Sequence, residues 1–319
     1  MRNLNTPLLQ QKAAFLPGRP VLQLLQQFAG HPDGAAEFNG ETPSGDAVIT
    51  YYQRRRHIFG DLKIEVLDAN GKLIETIPSS KRRGLSRVTW SMRLPPPPVP
   101  NAATAANAGT FGPRLLPGTY TVRLSKDGEV LTTQIDVKAD PRWNATAGDR
   151  KAQFDLSLKL CDIFADMTYA VAKINGVREG LVQRAAALPS GERLRPRLEK
   201  AADDLDTLRK RIVATKEGGM LTGEERLREN LDELYFGVVY YEGRPTAAQT
   251  ERADAIAREL ADTVRDFDAW TAKELPAINA ALGKNPVKVL TREEWQKSRS
   301  AAAGGAVAAG RMEGRFERD

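Results

Sequence analysis

The sequence predicts a multidomain β + α chain, an antiparallel β-sandwich followed by an antiparallel helical bundle. Two observations carry this. Between Asp46 and Asp140 the apolar residues alternate with a period of two and are punctuated by hairpin turns. From about Thr146 the period changes to that of an amphipathic helix. A length of 319 residues leaves room for more than one domain.

Residues 1–45 carry too few periodic apolar positions for a core of their own. Val21–Ala29 suits a short helix or strand, and Gly30, Pro32, Gly34, Gly40, Pro43 and Gly45 mark loop. The stretch is expected to be an N-terminal linker that packs on a neighbour or stays mobile.

Residues 46–140 read as strands. Val48, Thr50 and Tyr52 alternate with Ile49, Tyr51 and Gln53, and Leu62, Ile64 and Val66 with Lys63 and Glu65. Leu62–Asp68 and Leu73–Ile77 flank a turn at Asn70-Gly71. Thr119–Leu124 and Leu131–Val137 flank a second at Asp127-Gly128. Such dipeptides supply the positive φ angles that tight hairpins demand. Val88-Thr89-Trp90 adds a strand, with Trp90 as a core anchor. Six or seven strands at this spacing suit an immunoglobulin-like sandwich. Pro95–Pro100 cannot pair inside a sheet, so residues 95–110 are expected to form a mobile, Pro-rich loop.

Residues 146–284 are expected to hold four helices. The first carries Leu156, Leu160, Ile163, Met167, Ala170, Ile174, Val177 and Leu181, spaced alternately by four and three. The second carries Leu194, Leu198, Ala201, Leu205, Leu208 and Ile212. The third carries Leu227, Leu231, Leu234, Val238 and Tyr241. The fourth carries Ile256, Leu260, Phe267, Trp270, Ile278 and Leu282, with a kink expected at Pro276. Thr222-Gly223-Glu224-Glu225 and Thr246-Ala247-Ala248-Gln249 read as capping boxes. Short connections argue for antiparallel neighbours. Residues 298–319, Ala/Gly-rich and then charged, read as a disordered tail.

No catalytic, cofactor-binding or metal-ligating residue is assigned. The two histidines, His31 and His57, lack partners at metal-ligand spacing. The single cysteine, Cys161, reads as a buried, inert thiol. Helical carboxylates such as Asp203, Asp204, Asp206, Glu224, Glu225, Asp232 and Glu233 read as a solvated face. Tyr235, Phe236, Tyr240 and Tyr241 read as core and contact residues rather than a sugar-stacking platform. No apolar run is long enough to span a membrane.

Charge is the one functional signal. The net charge is +6, and the segment from Ala47 to Leu94 alone carries an excess of that size. Two clusters stand out, Arg54-Arg55-Arg56 and Lys81-Arg82-Arg83. They are the candidate polyanion-binding residues: such clusters suit nucleic acid, an acidic polysaccharide or an acidic protein face, and of these polysaccharide is kept as a candidate partner while nucleic acid is not expected. The plainer reading is a strand edge guarded by charge.

The order of motifs resembles a family. His57-Ile58-Phe59-Gly60-Asp61-Leu62-Lys63-Ile64-Glu65-Val66-Leu67-Asp68-Ala69-Asn70-Gly71-Lys72 is followed by Arg83-Gly84-Leu85-Ser86-Arg87-Val88-Thr89-Trp90. Leu116-Pro117-Gly118-Thr119-Tyr120-Thr121-Val122 comes next, and Lys138-Ala139-Asp140-Pro141-Arg142 closes the run. From about Gly40 to Leu282 this resembles the C-terminal region of bacterial sortilin-like, BNR-repeat β-propeller proteins. These are often labelled glycosyl hydrolases, and their sandwich is similar to the Ig-like domain of the flagellar hook-capping protein. The resemblance implies a secreted accessory module, periplasmic or extracellular, that packs on or extends from a propeller. It places any hydrolase activity in a propeller missing from this chain. Residues 1–45 would then be the propeller's last trace. The chain shows no secretion signal, so a freestanding protein is expected in the cytoplasm.

Overall fold

The computed structural model describes residues 4–24, 44–216 and 223–301. Helices and β-sheets are both present, as the alternation of periods predicts. The elements run α1 (Thr6–Gln10), β1 (Ala13–Phe15), β2 (Val21–Gln23), β3 (Ala47–Gln53), β4 (Leu62–Leu67), β5 (Leu73–Ile77), β6 (Gly84–Trp90), β7 (Gly118–Lys126) and β8 (Glu129–Ala139). The long helices follow: α2 (Ala147–Ala186), α3 (Leu194–Ile212), α4 (Leu227–Val239) and α5 (Ala247–Leu282). The chain divides into two units. The first comprises Met1–Pro96, Thr110–Leu158 and Phe236–Thr246, and the second Pro97–Gly109, Lys159–Tyr235 and Ala247–Asp319. The division therefore cuts across the sequential order of strands then helices.

In the first unit, β1, β3 and β6 form a three-stranded sheet, and β2, β8, β7, β4 and β5 a five-stranded one. Alternate side chains of both sheets supply one buried cluster, including Ile49, Tyr51, Ile64, Val66, Trp90, Val122, Leu124 and Val137. Trp90 is buried at its centre and meets the Tyr120 ring edge-on at 5.1 Å.

Both hairpins form where the turn residues put them. Asp127 and Gly128 have φ of 52° and 80°, and Lys126 pairs with Glu129 across them. This is the double positive-φ loop that matches strand twist. At the other hairpin only Gly71 is left-handed, with φ of 77°. There the Asp68 carboxylate accepts from the backbone N–H groups of Asn70 (2.9 Å) and Lys72 (2.8 Å), so a side chain substitutes for part of the turn's hydrogen bonding.

The described part of the N-terminal stretch, residues 4–24, packs on its neighbours. β1 pairs antiparallel with β3, and β2 pairs parallel with β8, so the sheets are not wholly antiparallel. The Gln23 side chain, buried, donates to Leu115 O at 3.0 Å. Backbone pairing needs no hydrophobic period, which is why two three-residue strands leave so weak a pattern. The remainder of the Val21–Ala29 reading, from Leu25 on, and the Gly/Pro loop to Pro43 lie outside the described residues.

In the second unit the first seam holds: Ile163, Met167, Ala170, Ile174, Val177 and Leu181 of α2 are buried. α3 buries Leu198, Ala201, Leu205, Leu208 and Ile212. On α4 the buried ring is Tyr235, not Leu234; it meets Phe164 edge-on at 5.8 Å. Tyr241, expected on the same seam, lies past the helix end in the first unit and is 50% exposed.

The long helices α2 and α5 depart from antiparallel order. Lys159 pairs with Asp254 at 2.5 Å and Lys173 with Asp268 at 2.7 Å, both across 95 residues. A constant offset means that the helices run parallel, the pairs recurring after about four turns. Lys173 is buried, and its ammonium also lies 4.9 Å from the Phe267 ring centre. Pro276 sits inside α5, which continues to Leu282.

The segment 97–109 is tethered rather than loose. Ala103 N donates to Ala214 O (3.1 Å), Thr104 Oγ1 to Glu229 (2.7 Å) and Gly109 N to Asp232 (2.8 Å). These acceptors are helical or remote in sequence, and composition alone cannot reveal them. The same explains the helix starts. Thr222 lies outside the described residues, and Glu224 instead accepts from Thr215 N at 2.8 Å. A reciprocal capping box opens α2: Asp149 N donates to Thr146 Oγ1 (3.1 Å) and Thr146 N to Asp149 Oδ2 (3.0 Å). A second, Thr291 with Glu294, opens a helical stretch over 292–301 that buries Trp295. Residues 298–301 of the expected tail are thus helical, and 302–319 lie outside the described residues. Among the described residues no helix is long and apolar enough to cross a membrane.

Three outcomes test this account. Trp90→Ala should cost about 3–5 kcal/mol by urea denaturation; a loss below about 1 kcal/mol would place the core elsewhere. The Arg244 guanidinium, and then Thr146, hold the Asp149 carboxyl at about 2, below the ordinary 3.8. A depressed carboxyl stabilises above its unfolded pKa and loses that contribution as pH falls through its folded value. Asp149→Asn should therefore flatten the acid limb of stability between pH about 4 and about 2, and parallel limbs would refute the assignment. Burial pushes the Cys161 thiol up to about 11, partly offset by Tyr235 Oη, 3.7 Å from the sulfur. Its alkylation rate at mildly alkaline pH should rise about a hundredfold on unfolding, whereas equal rates in the folded and unfolded protein would show an accessible thiol.

Candidate functional site

The two basic clusters meet at one end of the three-stranded sheet. β3 and β6 are antiparallel, and their last pair is Gln53 with Gly84. The three residues after Gln53 and the three before Gly84 therefore leave the ladder side by side. Those residues are Arg54-Arg55-Arg56 and Lys81-Arg82-Arg83.

Buried polar groups hold this arrangement. The carboxamide of Gln53, fully buried, donates to Ser80 O (2.7 Å) and Arg82 O (3.2 Å). Tyr51, also fully buried, accepts at Oη from Ser80 N at 2.7 Å. His57 N donates to Lys81 O at 2.9 Å, and Arg54 N to Lys12 O at 2.9 Å. The backbone is thus fixed from inside, while all six cationic side chains are exposed. Arg54 Nη1 donates to Gln10 O at 3.1 Å. Among the described residues none of the six forms an ion pair. Like charges are thus gathered there without a carboxylate at ion-pair distance among the described residues.

His57 shapes the adjoining tip. Its ring is buried, with Nε2 3.0 Å from Gly60 O and Nδ1 3.4 Å from Asp127. Gly60 has φ of 80°, where a Cβ is strained. The closed turn leaves Ile58 67% and Phe59 84% exposed. The acids alongside are engaged: Asp61 with Lys63 (3.2 Å), and Asp127 with Lys126 (3.7 Å) as well as His57.

A second charged cluster escapes sequence reading altogether. Glu242 is buried between Arg114 (2.9 Å) and Arg150 (2.8 Å), and the Gln153 carboxamide donates to Val238 O at 2.6 Å. The adjoining cavity holds about 20 Å³, room for about one water and not for a substrate. Its partners lie far apart in sequence, so spacing offers no signal. It neutralises a buried carboxylate.

The other candidates stay separate. His31 lies outside the described residues. Asp203 and Asp204 occupy α3 surface positions, whereas Glu224 and Asp232 hold backbone N–H groups. Phe236 stacks on Tyr240 at 4.5 Å and is partly exposed, while Tyr235 is core. Asp140 is clamped by Arg142 (2.6 Å from Nη2), whose guanidinium holds the carboxyl below its ordinary range. Among the described residues no group of three or more His, Cys, Asp or Glu side chains is placed to hold a metal ion.

No family model matches the sequence, and no curated protein matches it. A solved structure, CopC from Methylosinus trichosporium OB3b, is similar at 19% identity over 31% of this chain and 80% of its own, with a TM-score of 0.18. That score is too low for a shared fold to follow.

Proposed function

We propose that this chain is a non-catalytic interaction module that binds a polyanion at the basic end of the three-stranded sheet. The supporting observation is the Gln53–Gly84 register, which turns two sequence-distant basic triplets into one exposed, unpaired patch. Charge that merely guarded a strand edge would need no such convergence, nor buried side chains spent on the Ser80–Arg82 backbone.

The architecture proposed with it is an immunoglobulin-like sandwich followed by a helical bundle. Tyr120 Oη, which donates to Leu116 O four residues upstream at 2.6 Å, is the kind of corner contact such sandwiches use. The motif order supports descent from the C-terminal region of sortilin-like propeller proteins. An accessory role outside the cytoplasm, packed on a propeller, belongs to the same proposal.

Heparin affinity chromatography tests the binding. The protein should be retained at low salt and released steeply as salt rises. Neutralising either triplet with Gln should weaken binding at least about tenfold, with circular dichroism unchanged. Retention that ignores both triplets would sink the proposal.

A further inference from the structure

We infer that the polyanion is the face of an anionic phospholipid bilayer, with Ile58 and Phe59 inserted among its headgroups. The inference rests on the polyanion reading of the same surface and adds what the cations alone leave open. Ile58 and Phe59 are consecutive large apolar side chains, 67% and 84% exposed. They project from a turn closed by the 3.0 Å contact between His57 Nε2 and Gly60 O. A tip held in this way loses little conformational freedom when it binds.

The surroundings define the ligand. Arg54–Arg56 immediately precede the tip, and the His57–Lys81 backbone bond brings Lys81–Arg83 beside it. The partner must therefore offer dense negative charge and, a few ångströms away, an apolar phase. An acidic polysaccharide offers charge, and a ring face for Phe59, but nothing apolar enough for Ile58. An anionic bilayer offers phosphates for the guanidinium groups and the acyl boundary beneath them, about 5–10 Å deep. Long basic side chains reach phosphates while their stems lie along apolar surface. Each Lys or Arg at such a surface strengthens binding by about fivefold, and burying Phe59 adds about tenfold or more. Both kinds of contact come from one rigid end of the sheet.

Co-sedimentation of the full chain with phosphatidylcholine vesicles, with and without phosphatidylglycerol, tests this. Binding should require phosphatidylglycerol and weaken with salt. The double variant Ile58→Ser/Phe59→Ser, at exposed positions, should lose at least about tenfold in vesicle affinity while keeping its heparin retention. Neutralising Arg54–Arg56 should weaken both. Heparin retention without vesicle binding, or vesicle binding indifferent to the double variant, overturns the lipid inference and leaves the polyanion reading standing. An equal loss of heparin and vesicle binding in the double variant makes polysaccharide the ligand instead. Failure to bind either probe overturns both readings.

Discussion

The antiparallel pairing of β3 with β6 is the constraint on which the exposed basic surface depends. A one-residue slip would turn every side chain to the opposite face. Ile49, Tyr51 and Gln53 would leave the core, and with them the groups that hold Ser80 and Arg82. The hydrophobic cluster around Trp90 therefore does more than stabilise a sheet. It sets the register, the register sets where the two strands part, and the parting point gathers six like charges. Those charges repel one another, and their cost is met by buried apolar area and by hydrogen bonds that face inward.

Buried side-chain hydrogen bonds recur as a means of order in the first unit. Gln23 ties the short N-terminal strand region to Leu115, and Gln153 accompanies the Glu242 ion cluster. An unpaired amide in such places costs about 1–3 kcal/mol, so each glutamine discriminates against displaced strands or loops. His57 belongs to the same set, its ring closing the turn that carries Ile58 and Phe59. The apolar tip is thereby an outcome of buried hydrogen bonding as much as of surface composition.

The second unit solves a different problem. Heptad seams bury one stripe of each helix but do not choose neighbour direction. The ion pairs Lys159–Asp254 and Lys173–Asp268 lie along a parallel pair of helices. Short loops predict antiparallel neighbours only for consecutive helices, and α2 and α5 are separated by α3 and α4. The tethering of 97–109 by Glu229 and Asp232 is equally invisible from composition, which reads that stretch as loop.

Sequence by itself determined the strand and helix content, the two hairpins, Trp90 as a core residue and the α2 and α3 seams. Each follows from local periodicity or from turn chemistry, which acts over a few residues. It also marked Arg54–Arg56 and Lys81–Arg83 as charged clusters, yet left them as two. Only the tertiary structure decided that they form one patch, that Ile58 and Phe59 stand beside it, that β1 and β2 join the sheets, and that Glu242 is buried between two arginines. These depend on pairing register and on contacts between residues tens to more than a hundred positions apart. Such contacts are selected by the total burial and hydrogen bonding of the folded chain, and no local pattern records them.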